Sequence, residues 1–189
     1  MMLTRKALAA AILATLAPVG AAFAQSPTIV NRAITEAEVL AAQRAWCDAL
    51  VSISRTNETQ GREAARELAG RVLDAAYGYQ MGAVLFKPTL TVAPQTFRTT
   101  RAGALAYFVG GDPAFPRDTG FALNGWTRCE IVNSAVFIAG QVATTMGNVR
   151  ITGREGRVTT VDKSWQFVKD DAGQLRIVLH HSSLPHQGS

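Results

Sequence analysis

Gln174–Pro185 reads QLRIVLHHSSLP, and the interpretation of this stretch decides how the rest of the chain is read. Leu175–Leu179 is an apolar run with β-branched members, which favours a strand, and Pro185 lacks the N–H that would continue a ladder. Neighbouring residues on a strand point to opposite faces. Strict alternation places Val178, His180 and Ser182 on one face, and Ile177, Leu179, His181 and Ser183 on the other. Each face changes from apolar to polar within one residue pair. Buried imidazoles and hydroxyls need hydrogen-bond partners. A strand ending in His-His-Ser-Ser therefore either runs out into solvent or delivers a histidine and a serine to a site.

Upstream of this strand, Asp170-Asp171-Ala172-Gly173 is a hairpin turn, and Arg157–Lys169 is a long strand before it. Gly153-Arg154-Glu155-Gly156 is another hairpin turn, preceded by a strand over Gln141–Thr152. Thr127–Asn133 and Ala135–Ile138 flank a bulge or tight turn, so the chain from Trp126 onward reads as an antiparallel meander. The first half is helical. Thr35 and Glu38 form a T-x-x-E capping box, and Val39, Leu40, Trp46, Leu50 and Ile53 follow as a broad apolar face, with Trp46 read as core. A polar break at Arg55–Gln60 leads to a second helix, Gly61–Ala76. Ala83–Lys87 is a short strand closed by Pro88 and Thr89, Thr96–Arg98 a further short strand, and Thr100–Phe108 a short helix. Gly110-Gly111 lacks the spacing of a phosphate or dinucleotide loop and reads as a turn. Helices early and strands late predict an α+β domain, a cone-shaped curved antiparallel sheet wrapped around N-terminal helices.

The beginning of the chain has a different character. Arg5 and Lys6 precede the apolar run Ala7–Ala17, and Ala22-Phe23-Ala24 is a small-x-small cleavage site, the pattern of a secretory signal peptide. Residues 1–24 are expected to be that signal, 25–34 a leader and 35–189 the single domain. The mature chain is then expected in the periplasm or secreted, with no membrane association after cleavage. The formal charge of +5 is carried partly by Arg5 and Lys6. No basic run or aromatic-basic motif accompanies it, so no nucleic-acid partner is expected, whereas a small anionic ligand suits it. Cys47 and Cys129 can pair in an oxidising compartment or remain two buried thiols. The two cysteines are scattered and the three histidines cluster at the C-terminus, without metal-ligand spacing. No metal or other cofactor is expected.

A bent sheet over helices leaves a pocket at the mouth of the cone. The candidate groups for it are Thr89 beside Pro88, Tyr107 at the end of the short helix, and His180 with Ser182 on one strand face, each ordinary when taken singly. Three hydroxyls and an imidazole suit a small oxyanion, since each hydroxyl can donate to one oxygen and histidine can donate or accept. The facing of Asp162, on the long strand, stays open at this level.

Four motifs together carry a resemblance: VLFKPT at Val84–Thr89, ALAYFVGG at Ala104–Gly111, TTMGN at Thr144–Asn148 and LRIVLHHSSLP at Leu175–Pro185. Over about Arg44–Pro185 the chain resembles the iota-class carbonic anhydrases, in particular their metal-independent branch. The resemblance implies the cone fold shared with the association domain of calcium/calmodulin-dependent kinase and the nuclear transport factor two-like superfamily. It also implies a bicarbonate pocket built from Thr89, Tyr107, His180 and Ser182, as catalytic and substrate-binding residues, and hydration of carbon dioxide without a metal ion. A homodimer is expected through the outer sheet face, where Trp165 and Phe167 alternate. Two other readings remain. One is a non-catalytic association module. The other is an isomerase or polyketide cyclase, which needs a pocket carboxylate that the four motifs do not supply.

Overall fold

The computed structural model describes residues 28–186 and 188; the expected signal peptide and the start of the leader lie outside them. The compact unit spans Asn31–Ser189. At its start Ile34 is buried and donates its N–H to the Gly140 carbonyl at 2.7 Å. Thr35 then caps helix α1 (Glu36–Gln60) with the full capping box: its side chain accepts from Glu38, and the Glu38 carboxylate accepts from the Thr35 N–H at 2.7 Å.

The polar run Arg55–Gln60 does not break this helix. Polar residues are tolerated on a solvated turn, and the chain leaves the helix only at Gly61, whose φ of 90° favours glycine. Helix α2 (Arg62–Ala76) begins one residue later and packs beside α1. Strand β1 is only Leu85–Lys87, and helix α3 (Arg101–Val109) follows, capped by the Thr100 hydroxyl. Thr96–Arg98 is not a strand; the Arg98 N–H donates to the Phe86 carbonyl at 2.8 Å without extending a ladder.

After a short 3-10 turn, strands β2 (Trp126–Ala139), β3 (Val142–Gly153), β4 (Val158–Lys169) and β5 (Leu175–Ser183) form the meander. The sheet order is β1-β5-β4-β3-β2. The sheet is mixed rather than wholly antiparallel, because β1 pairs parallel to β5. That arrangement needs a long crossover, which the chain from Pro88 to β5 supplies. The sheet does not close on itself. β2 is one continuous strand with a register shift between Asn133 and Ala135. Opposite that bulge lies Gly147. A Cβ there would sit 2.2 Å from the Val132 carbonyl oxygen, so only glycine allows the two backbones to approach this closely.

The concave face of the sheet holds α1. Ala143, Val149, Ile151, Val161, Trp165, Phe167 and Ile177 are buried against the helices. Trp165 and Phe167 therefore face inward, each about 1 % exposed, and not outward as the dimer expectation required. The alternation was right and the assignment of faces was reversed. Cys47 on α1 and Cys129 on β2 form a disulfide with a Cα–Cα distance of 5.2 Å, which answers the choice between bond and thiols. Nearby, Gln43 and Asn133 pair their side-chain amides reciprocally at 2.9 and 2.8 Å.

The disulfide closes a loop of 82 residues in sequence separation. Constraining an unfolded chain over such a loop is worth about 2–4 kcal/mol. A Cys47→Ala/Cys129→Ala variant should lose about that much in equilibrium urea unfolding, and an unchanged midpoint would contradict the staple's role.

Candidate functional site

Strand β5 does not keep strict alternation. Its pairing with β4 runs Gln166–Leu179 and then Phe167–Ile177, leaving Val178 as an extra residue in a bulge. Val178 instead packs on Gly78, where a Cβ would come within 3.1 Å of it. The Ile177 carbonyl accepts the Gly78 N–H at 2.9 Å. The bulge corrects the expected faces: Ile177 is buried together with His180 and Ser182, while His181 is exposed. His180 and Ser182 still share the inward face, as their spacing requires.

The four expected site residues come from three places in the chain and meet near the end of β5. Thr89 follows β1, whose Phe86 is paired with His180 across the parallel ladder. The Thr89 and Ser182 hydroxyls lie 2.6 Å apart, and either can donate. Lys87 reaches round to the Ser182 carbonyl at 3.2 Å. The Phe86 ring stacks on the His180 ring at 4.3 Å and meets the Tyr107 ring edge-on at 5.7 Å.

Tyr107 sits on α3, and both ends of that helix are anchored. Gly110 ends it with φ 62°, where a Cβ would lie 2.8 Å from the Asp118 carbonyl oxygen. Arg62 and Arg66 of α2 donate to the carbonyls of Val109 and Gly110 at 2.9 and 3.3 Å. In front of α3, Arg98 grips Asp118 with two hydrogen bonds of 2.8 and 2.7 Å, and both side chains are nearly sealed from solvent. This pair ties the loop carrying Thr89 to the loop after α3.

The Tyr107 hydroxyl is buried and makes no hydrogen bond of normal geometry. Burial pushes its pKa well above the usual tyrosine value; the backbone of Leu90 and Thr89 and the Thr89 hydroxyl oppose that push. It is therefore a protonated donor beside Thr89 whose proton no hydrogen bond of normal geometry takes up. Asp118 also acts on Tyr107, but its carboxylate is occupied by Arg98. Asp162 points to the outer face, where it accepts from Asn148 at 2.8 Å.

His180 is held at both ring nitrogens. Tyr77 contacts Nδ1 at 2.8 Å and the Lys163 amine contacts Nε2 at 2.6 Å. Trp46 donates its indole N–H to the same Tyr77 oxygen at 2.9 Å. Burial, and then any charge on the neighbouring Lys163, push the histidine's pKa well down. His181 lies instead along an outer-face groove of about 440 Å³ with Asn148, Asp162 and Ser183. Sequence reading missed Lys163 and Tyr77. The signal for Lys163 was present, because it belongs to the same period-2 set as Val161, Trp165 and Phe167. Tyr77 gave none, since it reaches His180 only through tertiary packing.

Comparison with known proteins gives a consistent result. A family model described as metal-independent carbonic anhydrase matches residues 37–184. A metal-independent carbonic anhydrase of Nostoc is 66 % identical over 159 residues, covering 84 % of this chain and 78 % of that protein. The crystal structure of a cyanobacterial iota-carbonic anhydrase complexed with bicarbonate superposes with a TM-score of 0.85 at 64 % identity, over 87 % of this chain and 100 % of that one. A calcium/calmodulin-dependent protein kinase II association domain from Xanthomonas campestris, at 19 % identity, a TM-score of 0.50 and coverage of 86 % and 100 %, shares the fold alone.

The unpartnered Tyr107 hydroxyl leads to a stability prediction. Tyr107→Phe removes a buried polar group that has nothing to lose, so stability should stay level or rise by up to about 1–3 kcal/mol. Chemical denaturation checks this, and a clear loss of stability would show that the hydroxyl has a partner.

Proposed function

The chain belongs to the metal-independent carbonic anhydrases, and we propose that it catalyses the reversible hydration of carbon dioxide to bicarbonate where Thr89, Tyr107 and Ser182 meet beside His180. The observation that carries the site assignment is the buried Tyr107 hydroxyl, a donor without an acceptor, next to the Thr89–Ser182 hydroxyl pair. A bicarbonate oxygen would supply the missing acceptor.

In the reaction, water adds its oxygen to the carbon of carbon dioxide, giving bicarbonate and one proton. Negative charge grows on the two oxygens of carbon dioxide as the C–O bond forms. Tyr107, kept protonated by burial, donates to one of them, and the hydroxyls of Thr89 and Ser182 donate to the other or orient the water. Fixed donors in a dry site stabilise such charge without having to reorganise. His180 lies two residues before Ser182 with its ring stacked on Phe86, and its nitrogens serve the network behind them. Thus it acts on the reaction by holding position and electrostatics. The non-catalytic alternative has only the shared fold in its favour.

Three further parts of the reading are proposals of the same kind. The first is that the reaction needs no metal ion, in keeping with the family's description. The second is that residues 1–24 are an export signal and the mature chain is periplasmic or secreted, for which the Cys47–Cys129 bond, suited to an oxidising compartment, is support. The third is a homodimer through the outer sheet face. Phe137 and Met146, 70 % and 63 % exposed, are among the large apolar side chains there; light scattering that finds a monomer at micromolar concentration would dismiss it.

Stopped-flow hydration assays test the site. Tyr107→Phe and Ser182→Ala should each lower the rate about a hundredfold or more, the usual consequence of losing a donor to a charge-bearing oxygen. His180→Ala should be severe and His181→Ala mild, since only the former faces inward. Equal small losses in the two histidine variants, with folding verified by circular dichroism, would place the site elsewhere. Exhaustive chelation should leave the rate unchanged. Activity lost on chelation and regained with zinc or manganese would refute the metal-free reading.

A further inference from the structure

Lys163 is a buried amine for which the hydration reaction as described has no use. It is about 5 % exposed, and its Nζ lies 4.7 Å from the centre of the Trp46 ring and 5.4 Å from that of Trp165. No carboxylate is within ion-pair reach of it among the described residues. Among the described residues its amine has one hydrogen-bond contact, His180 Nε2 at 2.6 Å.

Counting donors gives this contact a direction. An indole nitrogen only donates, so the Tyr77 oxygen is the acceptor for Trp46. If the Tyr77 proton is to have a partner, it goes to His180 Nδ1. A neutral imidazole with Nδ1 accepting carries its proton on Nε2. That N–H then points at Lys163 Nζ, which accepts only as an uncharged amine, because an ammonium has no lone pair. The donors of Trp46, Tyr77 and His180 are then all satisfied, and the two N–H bonds left on the amine have the Trp46 and Trp165 rings beside them. With Lys163 charged, the direction reverses: the ammonium donates to Nε2, Nδ1–H donates to Tyr77, and the Tyr77 proton is left buried without an acceptor.

We propose that Lys163 is a neutral amine that terminates a one-way chain, Trp46 to Tyr77 to His180 to Lys163, and is the positioning residue that fixes His180 with its proton on Nε2. The surroundings agree. Burial between two indoles lowers the lysine's pKa from 10.5 to about 7. The titratable groups that face it are His180 on β5 and, behind it, Tyr77 after α2. Helix α1 presents Trp46 and β4 presents Trp165, and across β3 its register partner is Gly147. Asp162 and His181 lie on the far side of the sheet, and Lys87 reaches the Ser182 carbonyl from the sheet edge. Protonating Lys163 inverts the chain under Phe86 and the pocket. In the hydration direction kcat therefore rises with pH as Lys163 loses its proton, with KM nearly constant.

The proposal rests on the carbonic anhydrase reading for its kinetic consequence and not for the tautomer, so two measurements separate them. Nitrogen-15 NMR of the histidine rings of the full mature chain should show His180 neutral with its proton on Nε2 at alkaline pH. In Lys163→Arg, a permanent donor, the proton should move to Nδ1. A proton on Nδ1 in the unmodified chain at alkaline pH would overturn the proposal whatever the activity. In stopped-flow assays Lys163→Met should lower kcat about tenfold or more, the scale known for partners that orient a working imidazole, and should abolish the limb near neutral pH. A folded Lys163→Met variant with the original kcat and the same limb would overturn the positioning role. A wild-type chain that hydrates no carbon dioxide would reject the proposed function and leave the NMR result to decide the state of Lys163.

Discussion

One extra residue in β5 sets the order of the site. The bulge at Val178 lets Ile177 stay in the core beside Gly78 and still turns His180 and Ser182 inward two and four residues later. Without it, Ile177 and His180 would lie on opposite faces, and either the core or the site would be lost. The aromatic residues around it form a continuous bed: Phe86 stacks on His180, Tyr77 lies nearly parallel to the same ring, and Trp46 and Trp165 close the sides. The hydroxyls of Thr89, Tyr107 and Ser182 stand above it.

Much of this was legible from local pattern. The capping box at Thr35, the two late hairpins and the helix carrying Tyr107 each depend on residues near one another in the chain, and each appears with bounds close to those expected. The shared inward face of His180 and Ser182 followed from strand period alone. What failed was what depends on distant partners. Nothing near Leu85–Lys87 announces that this strand will lie parallel to β5, and nothing near Trp165 says which side the helices will occupy. The polar run before Gly61 looked like a break because composition was weighed over backbone: a helix tolerates polar residues and ends where φ turns positive. Family resemblance assembled Thr89, Tyr107, His180 and Ser182 into one site; periodicity could place only the last two together.

The polar groups of this core divide by how well they are satisfied. Gln43 and Asn133 are paired with each other, Arg98 and Asp118 hold each other in a two-pronged grip, and His180 has a partner on either side. These arrangements rigidify, because each member has given up water for a protein partner and loses by moving. Tyr107 is different: its hydroxyl has been desolvated and makes no hydrogen bond of normal geometry. The Trp165 indole N–H is the other buried group without a partner among the described residues, but it lies among rings, whereas the Tyr107 hydroxyl lies beside Thr89, where a polar molecule can complete it.

The covalent link between α1 and β2 also reaches the hydrogen-bond network around His180. Cys47 follows Trp46 directly, so the bond to Cys129 clamps the very turn of α1 from which the indole reaches Tyr77. A freshly made, reduced chain has to orient that indole by packing alone; the oxidised chain has it anchored. One covalent bond thus serves two ends: it staples helix to sheet, and it fixes the backbone position from which Trp46 meets Tyr77.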